Sequence, residues 1–301
     1  MTISRLCLGV VSLLALFSLA PVARGEEPGA GSDRDVVETG RKLSNPLSDV
    51  SALFMEFDLN FADGDLNLGQ SEVGIRTIIQ PILPFPLRGR GKNKWSLITR
   101  PTIPVLLSEP IPSGLDAFDR KGGLGDTQLP MVVSPPTGKW LLGVGPAFLI
   151  PTSTNDAFGR QQWGVGPAVV VGYQTKTAVF GTLGQYYSGI GSRGDRDPGI
   201  PDASYLHLLY FMFINLPEAW QVGFDPTVTF DDRASSGNKW NVPVMLLVAK
   251  TTPFGKLPVK FQAGIEYSVV SQEAYGQHAR FILDVIPVIR PMVRRPLLGG
   301  E

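Results

Sequence analysis

The side chains that could do chemistry are few and scattered. The 301-residue chain has two histidines, His207 and His278, and one cysteine, Cys7. The histidines fall on different expected strands, and neither lies in a nucleophile motif such as G-x-S-x-G. Neither has the close second ligand of a zinc site, so no catalytic residue, metal or cofactor is assigned. "DGDLN" at Asp63 to Asn67 alternates oxygen ligands as a calcium loop does, but Leu68 stands where the turn needs glycine and Gly74 where the closing glutamate belongs. "GRGK" at Gly89 to Lys92 lacks the spacing and the hydroxyl residue of a phosphate loop. "RGD" at Arg193 to Asp195 is a short match inside a charged loop. "GVGPA" occurs twice, at Gly143–Ala147 and Gly164–Ala168, yet without the third glycine and following helix of a dinucleotide site.

A different chemistry is carried by charges in the middle of alternating segments. In "SALFMEFDLNF", Leu53, Met55, Phe57, Leu59 and Phe61 share one parity while Glu56, Asp58 and Asn60 share the other, a period of two. The same alternation places Arg76, Arg100, Lys260, Glu266, Arg280 and Asp284 on the polar parity of later segments, and Asp126 closes "GLGD". On a lipid face a basic residue at the bilayer midplane costs about 2–4 kcal/mol. These groups must face water or one another, so Glu56, Asp58, Arg76, Arg100, Asp126, Lys260, Glu266, Arg280 and Asp284 are the expected lumen-lining set. Stitching of neighbouring strands and selection of solutes are both open to them.

The elements that hold these residues are strands. Thirty-four glycines and 26 prolines beside 43% hydrophobic residues suit many short strands with punctuating turns. The 27 basic and 27 acidic residues balance, which gives no reason to expect a nucleic-acid partner. Arg5, the apolar run Leu6–Ala20 and small Ala23 and Gly25 read as a signal peptide over residues 1–25. Residues 26–44 read as a flexible periplasmic leader, 45–290 as the main domain and 291–301 as a C-terminal tail. Strands are expected near 50–61, 71–84, 95–107, 124–134, 139–151, 162–173, 178–188, 203–216, 219–230, 239–250, 257–270 and 278–289. "YLHLLYFMFI" is the weak segment, being apolar on both parities.

About twelve strands, an even number, point to an all-β, antiparallel up-and-down transmembrane β-barrel. Long polar connections alternate with short ones such as "SPPTG", "YQTKT" and "LPE". "PFPLRGRGKNK" is the exception among the connections expected to be short. All five tryptophans, Trp95, Trp140, Trp163, Trp220 and Trp240, begin strands on the apolar parity. Up-and-down threading puts three at one rim and two at the other, as an aromatic girdle requires. The two "GVGPA" phrases become adjacent strands with Val144, Pro146, Val165 and Pro167 outward and their glycines inward. The prolines predict a bulge or a local gap in the ladder.

"LSNPLSDVSALFMEFDLNF", "QPILPF", "WSLITRPTIPV", "GLGDTQLPMVVSP", "WLLGVGPAFLIPTSTND" and "QWGVGPAVVV" resemble, in order and spacing, the bacterial outer-membrane proteins of the meta-pathway phenol-degradation family, also labelled transporter or neuromedin-U-like. The resemblance runs from about Leu43 to about Ile289 and is looser after Thr175. It implies an outer-membrane barrel associated with uptake of aromatic or other hydrophobic small molecules. The ending "RPMVRRPLLGGE" departs from the family habit of closing near an aromatic residue. The expected partners are outer-membrane lipid, the barrel-assembly machinery and a small-molecule solute. The competing readings are a non-conducting structural or adhesive barrel, a barrel lipid hydrolase using His207, and a secreted soluble ligand-binding β-protein.

Overall fold

The computed structural model describes residues 33–89, 93–194, 196–255, 257–293 and 295–298. The expected signal peptide and the first residues of the leader lie outside them. An α-helix, α1 (Asp33–Leu43), precedes the strands β1 (Ala52–Asp63), β2 (Glu72–Arg88), β3 (Trp95–Thr99), β4 (Ile103–Gly114), β5 (Ala117–Leu124), β6 (Thr127–Ser134), β7 (Trp140–Ile150) and β8 (Gln162–Gln174). The second half holds β9 (Ala178–Ser192), β10 (Ser204–Asn215), β11 (Trp220–Phe224), β12 (Thr227–Asp231), β13 (Trp240–Phe254), β14 (Leu257–Val270) and β15 (Gly276–Pro287). Three barrel strands are each broken once, between β3 and β4, β5 and β6, and β11 and β12, so the fifteen segments make twelve staves. Every pairing is antiparallel, and β1 pairs with both β2 and β15, which closes the barrel. Closure satisfies the backbone of each strand from its neighbours, the condition for crossing hydrocarbon.

The outer face is apolar. Phe57, Val144, Leu246, Ile265 and Phe281 are all exposed, while Asp58, Gln262, Glu266 and Asp284 on the other parity are buried in the interior. This is the inverse of a soluble sandwich. The five tryptophans stand exposed at strand beginnings. Chain direction puts Trp95, Trp140 and Trp220 at the rim that holds the chain ends, and Trp163 and Trp240 at the far rim. Trp140 packs edge-on to Tyr173 at 5.1 Å, and the Lys250 ammonium sits 4.9 Å over Trp220.

The repeated phrase resolves as a gap rather than a bulge. β7 and β8 pair without interruption, with Pro146 opposite Pro167. The breaks lie on their other edges: the β6–β7 ladder jumps from Pro130↔Ala147 to Val133↔Val144, and the β8–β9 ladder from Val165↔Ser188 to Ala168↔Gln185. Each proline, lacking an N–H, faces one of these breaks. The adjacent glycines accept the close approach, since a Cβ on Gly145 or Gly166 would lie 1.9 Å from the carbonyl oxygen of Met131 or Tyr186.

Two expectations change. The leader is not flexible throughout: residues 33–43 are helical, and Ser44, Pro46 and Ser48 after it are buried. "SEPIPSGLDAFDRKGG" is a hairpin of β4 and β5 rather than a loop, turning at Leu115 and Asp116. Its prolines hid the alternation, and they are tolerated because β4 pairs with β2 only as far as Ser108, leaving one edge free beyond. The C-terminal tail also has a place, since the amides of Leu297 and Leu298 donate to the Pro86 and Leu87 carbonyls on the end of β2.

Candidate functional site: the barrel lumen

The lumen has two unlike walls. The ionic wall is built from β1, β2, β14 and β15, whose register sets Asp58 opposite Arg76 and Glu266 opposite Arg280. Arg280 Nη1 donates to Glu56 at 2.9 Å and to Asp58 at 3.0 Å, and its Nη2 donates to Glu266 at 2.8 Å. Arg76 Nε donates to Asp58 at 2.9 Å, and Gln277 bridges by accepting from Arg76 and donating to Glu266. Three carboxylates therefore share two guanidiniums. Buried ions of this kind need such partners on every side.

Of the other expected lumen residues, Asp284 stands beside this cluster, opposite Glu56 in the β1–β15 ladder, and the rest sit apart from it. Asp284 accepts from Gln262 at 2.6 Å. Lys260, 1% exposed, donates to Ser44 Oγ at 2.6 Å and lies 4.4 Å from the centre of the Phe213 ring. Arg100 donates through Nη2 to Gln80 at 2.6 Å, its Nε has no partner, and among the described residues no carboxylate lies within 4 Å of it. Asp126 is at the far rim and serves a loop, accepting from the Ser153 and Arg160 amides at 3.1 and 2.6 Å.

The apolar wall was not in the expected set. The inward residues of β10 are Tyr205, His207, Leu209, Phe211 and Phe213; Phe211 and Phe213 join Leu149, Val170, Val179, Leu183 and Tyr187 in one buried cluster, Tyr205 and Leu209 pack against it, and His207 meets the Tyr205 and Tyr187 rings. The two-parity apolarity of "YLHLLYFMFI" thus has a cause: one face meets lipid and the other lines this wall. His207 packs on Tyr205 with ring centres 5.1 Å apart and meets Gln128 across the lumen at 3.2 Å. No serine side chain is bonded to it among the described residues. The alternating carboxylates of Asp63–Asn67 are not gathered as a calcium loop; Asn67 instead donates to the Ala62 and Gln70 carbonyls.

The N-terminal segment also enters the lumen, and sequence reasoning missed it. Leu47 packs on Val132 and against Gly143, where a Cβ would lie 3.3 Å from its Cδ2. Ser44 also donates to Gln221 at 3.0 Å, Asn45 donates to Gln174 at 2.8 Å, and Gly40 lies against Thr251. Outside the strands, Asp49 bridges Lys42 and Lys94 at 3.3 and 3.5 Å. Burial works to raise its carboxyl, but the two ammonium groups outweigh it and hold the pKa below the usual carboxylate range.

Against this geometry, the chain is similar in fold to the COG4313 outer membrane channel from Pseudomonas putida F1. The TM-score is 0.61 at 12% identity, covering 88% of this chain and all of that one. Outer membrane phospholipase A from Escherichia coli scores 0.39 at 10% identity over 83% of this chain and 98% of its own. A Pseudomonas aeruginosa FadL homologue scores 0.35 at 9% identity over 81% and 91%. No family model matches the chain, and no curated protein matches it. The chain has the fold of an outer-membrane barrel.

Proposed function

We propose that this protein is a bacterial outer-membrane channel for small molecules, with its chain ends in the periplasm, and that its solutes are aromatic or otherwise apolar. The observation that carries the reading is the two-walled lumen. A barrel needed only as a membrane staple has no use for an inward aromatic strip on β10, whereas a path for apolar solutes does. The resemblance of the quoted motifs to the phenol-degradation family agrees with it, and so does the description of the Pseudomonas putida neighbour as a channel. The described lumen is filled, by Leu43–Ser48 toward the chain-end rim and by the Gln128–His207 contact toward the far rim, so this is a closed form.

One observation favours a second reading. The Arg280 cluster satisfies neighbouring strands so fully that it fits a non-conducting structural barrel as well. Efflux of benzoate from proteoliposomes separates the two. A channel gives protein-dependent, saturable efflux that exceeds that of a sugar of similar size. Efflux equal to protein-free vesicles contradicts the channel.

A further inference from the structure

Resting on the channel reading, we infer that Leu43–Leu47 is an internal stand-in for the solute: it occupies an apolar binding site beneath Arg100 that takes a small aromatic molecule carrying a hydrogen-bond-accepting oxygen. Two small voids flank this segment. One, of about 40 Å³, is bordered by Pro46, Phe54, Phe211, Phe213 and Arg100. The other, of about 10 Å³, lies between Pro46, Leu47, Val132, Leu183 and the same Arg100. Neither admits a benzene ring, for which an apolar cavity of about 150 Å³ is enough. Vacating the side chains of Leu43, Pro46 and Leu47 joins the two voids into one cleft. Its walls are then mostly aromatic and aliphatic, with Gln262 and the Asp225 carboxylate on the same border as Arg100.

The polar end of the cleft is also specified. Arg100 Nε is buried and unpartnered; among the described residues the guanidinium donates to the Gln80 amide oxygen at 2.6 Å, and the Asp225 carboxylate borders the same void without reaching ion-pair distance. A buried donor without a partner costs free energy that an incoming oxygen recovers. The segment fills the apolar part of the cleft with Leu43, Pro46 and Leu47 and leaves Arg100 Nε without a hydrogen-bond acceptor. A hydroxyl or carboxylate on an aromatic ring answers both. The segment's hold on the barrel is polar and local, through Ser44 with Lys260 and Gln221 and Asn45 with Gln174. Solute and segment therefore compete, and each binds only at the other's expense.

The test uses the full chain carrying Ser48→Cys, with Cys7, the chain's single cysteine, replaced wherever it is retained. Ser48 is 5% exposed, so the rate at which a charged maleimide labels the thiol introduced at this position reports release of the segment. Benzoate and benzyl alcohol, added separately, are expected to raise that rate saturably, while toluene at equal free concentration acts roughly tenfold more weakly because it lacks the oxygen. Which of the two oxygenated probes is stronger assigns the head group as anion or hydroxyl. Arg100→Gln should remove the advantage over toluene, and Arg100→Lys should keep part of it. Phe211→Leu should weaken all three probes alike. Labelling unaffected by either oxygenated probe, or an equal response in the Arg100→Gln protein, overturns the inference. Benzoate efflux from vesicles that persists alongside such a result leaves the channel reading standing, and absent efflux removes that reading separately.

Discussion

Replacing Arg280 by glutamine removes the hub of the ionic wall. The guanidinium side chain is 10% exposed and bonded to three carboxylates, of which Asp58 and Glu266 are 0% and 2% exposed. After the change Asp58 keeps Arg76 and Glu266 keeps Gln277, but Glu56 loses its only side-chain ion-pair partner among the described residues. Breaking a buried ion pair by removing one member costs about 3–5 kcal/mol. With a urea slope of about 3 kcal/mol per molar, the unfolding midpoint should fall by about 1–2 M. Arg280→Gln combined with Glu56→Gln and Glu266→Gln removes the stranded charges and leaves the Asp58–Arg76 pair intact, so most of the loss should return. Tryptophan fluorescence during urea titration of the refolded barrel in vesicles reads both variants. A midpoint within about 0.3 M of the parent for Arg280→Gln, or no recovery in the triple variant, refutes the claim that these charges are buried and mutually dependent.

Gly145→Val puts a side chain where the Met131 carbonyl stands, so the variant should lose heat-modifiable gel migration, and an unaltered shift would contradict the close approach. Asp126→Ala frees the Ser153 and Arg160 amides at the far rim, and protease should then nick residues 151–160 in intact vesicles while the barrel persists. Asp49 has a folded pKa below its unfolded value, so its contribution to seating the N-terminal segment is present above the ordinary carboxylate range and is lost as pH falls through the folded pKa. Maleimide labelling of the Ser48→Cys protein should accordingly rise in acid, and adding Asp49→Asn should flatten that rise. Neutralising Arg76 and Arg100 together should shift ion selectivity toward cations in bilayers, and an unchanged reversal potential removes them from that role.

Much of the barrel was legible because its two environments write opposite parities. Phe57 against Asp58, or Phe281 against Arg280, announces lipid on one side and something polar on the other. What parity does not carry is the nature of the interior where it is apolar too. On β10 both faces are greasy, so the inner wall of Phe211 and Phe213 left no contrast to read. The contacts of Leu47 with Gly143 and Val132 join residues far apart in the chain, and no local period encodes them. The glycines of "GVGPA" gave one of two available hints, since inward glycines leave room for a large neighbour. The prolines gave the other, since a residue without an N–H in a closed ladder forces a break somewhere.

The conduit account is tested most directly by planar-bilayer conductance of the full chain beside a variant lacking residues 33–48, each first shown to be folded by heat-modifiable migration. The filled lumen predicts little current from the full chain and a severalfold larger, stable conductance once the segment is gone. Equal, near-zero current from both would mean that the interior is a packed core and that nothing passes through it.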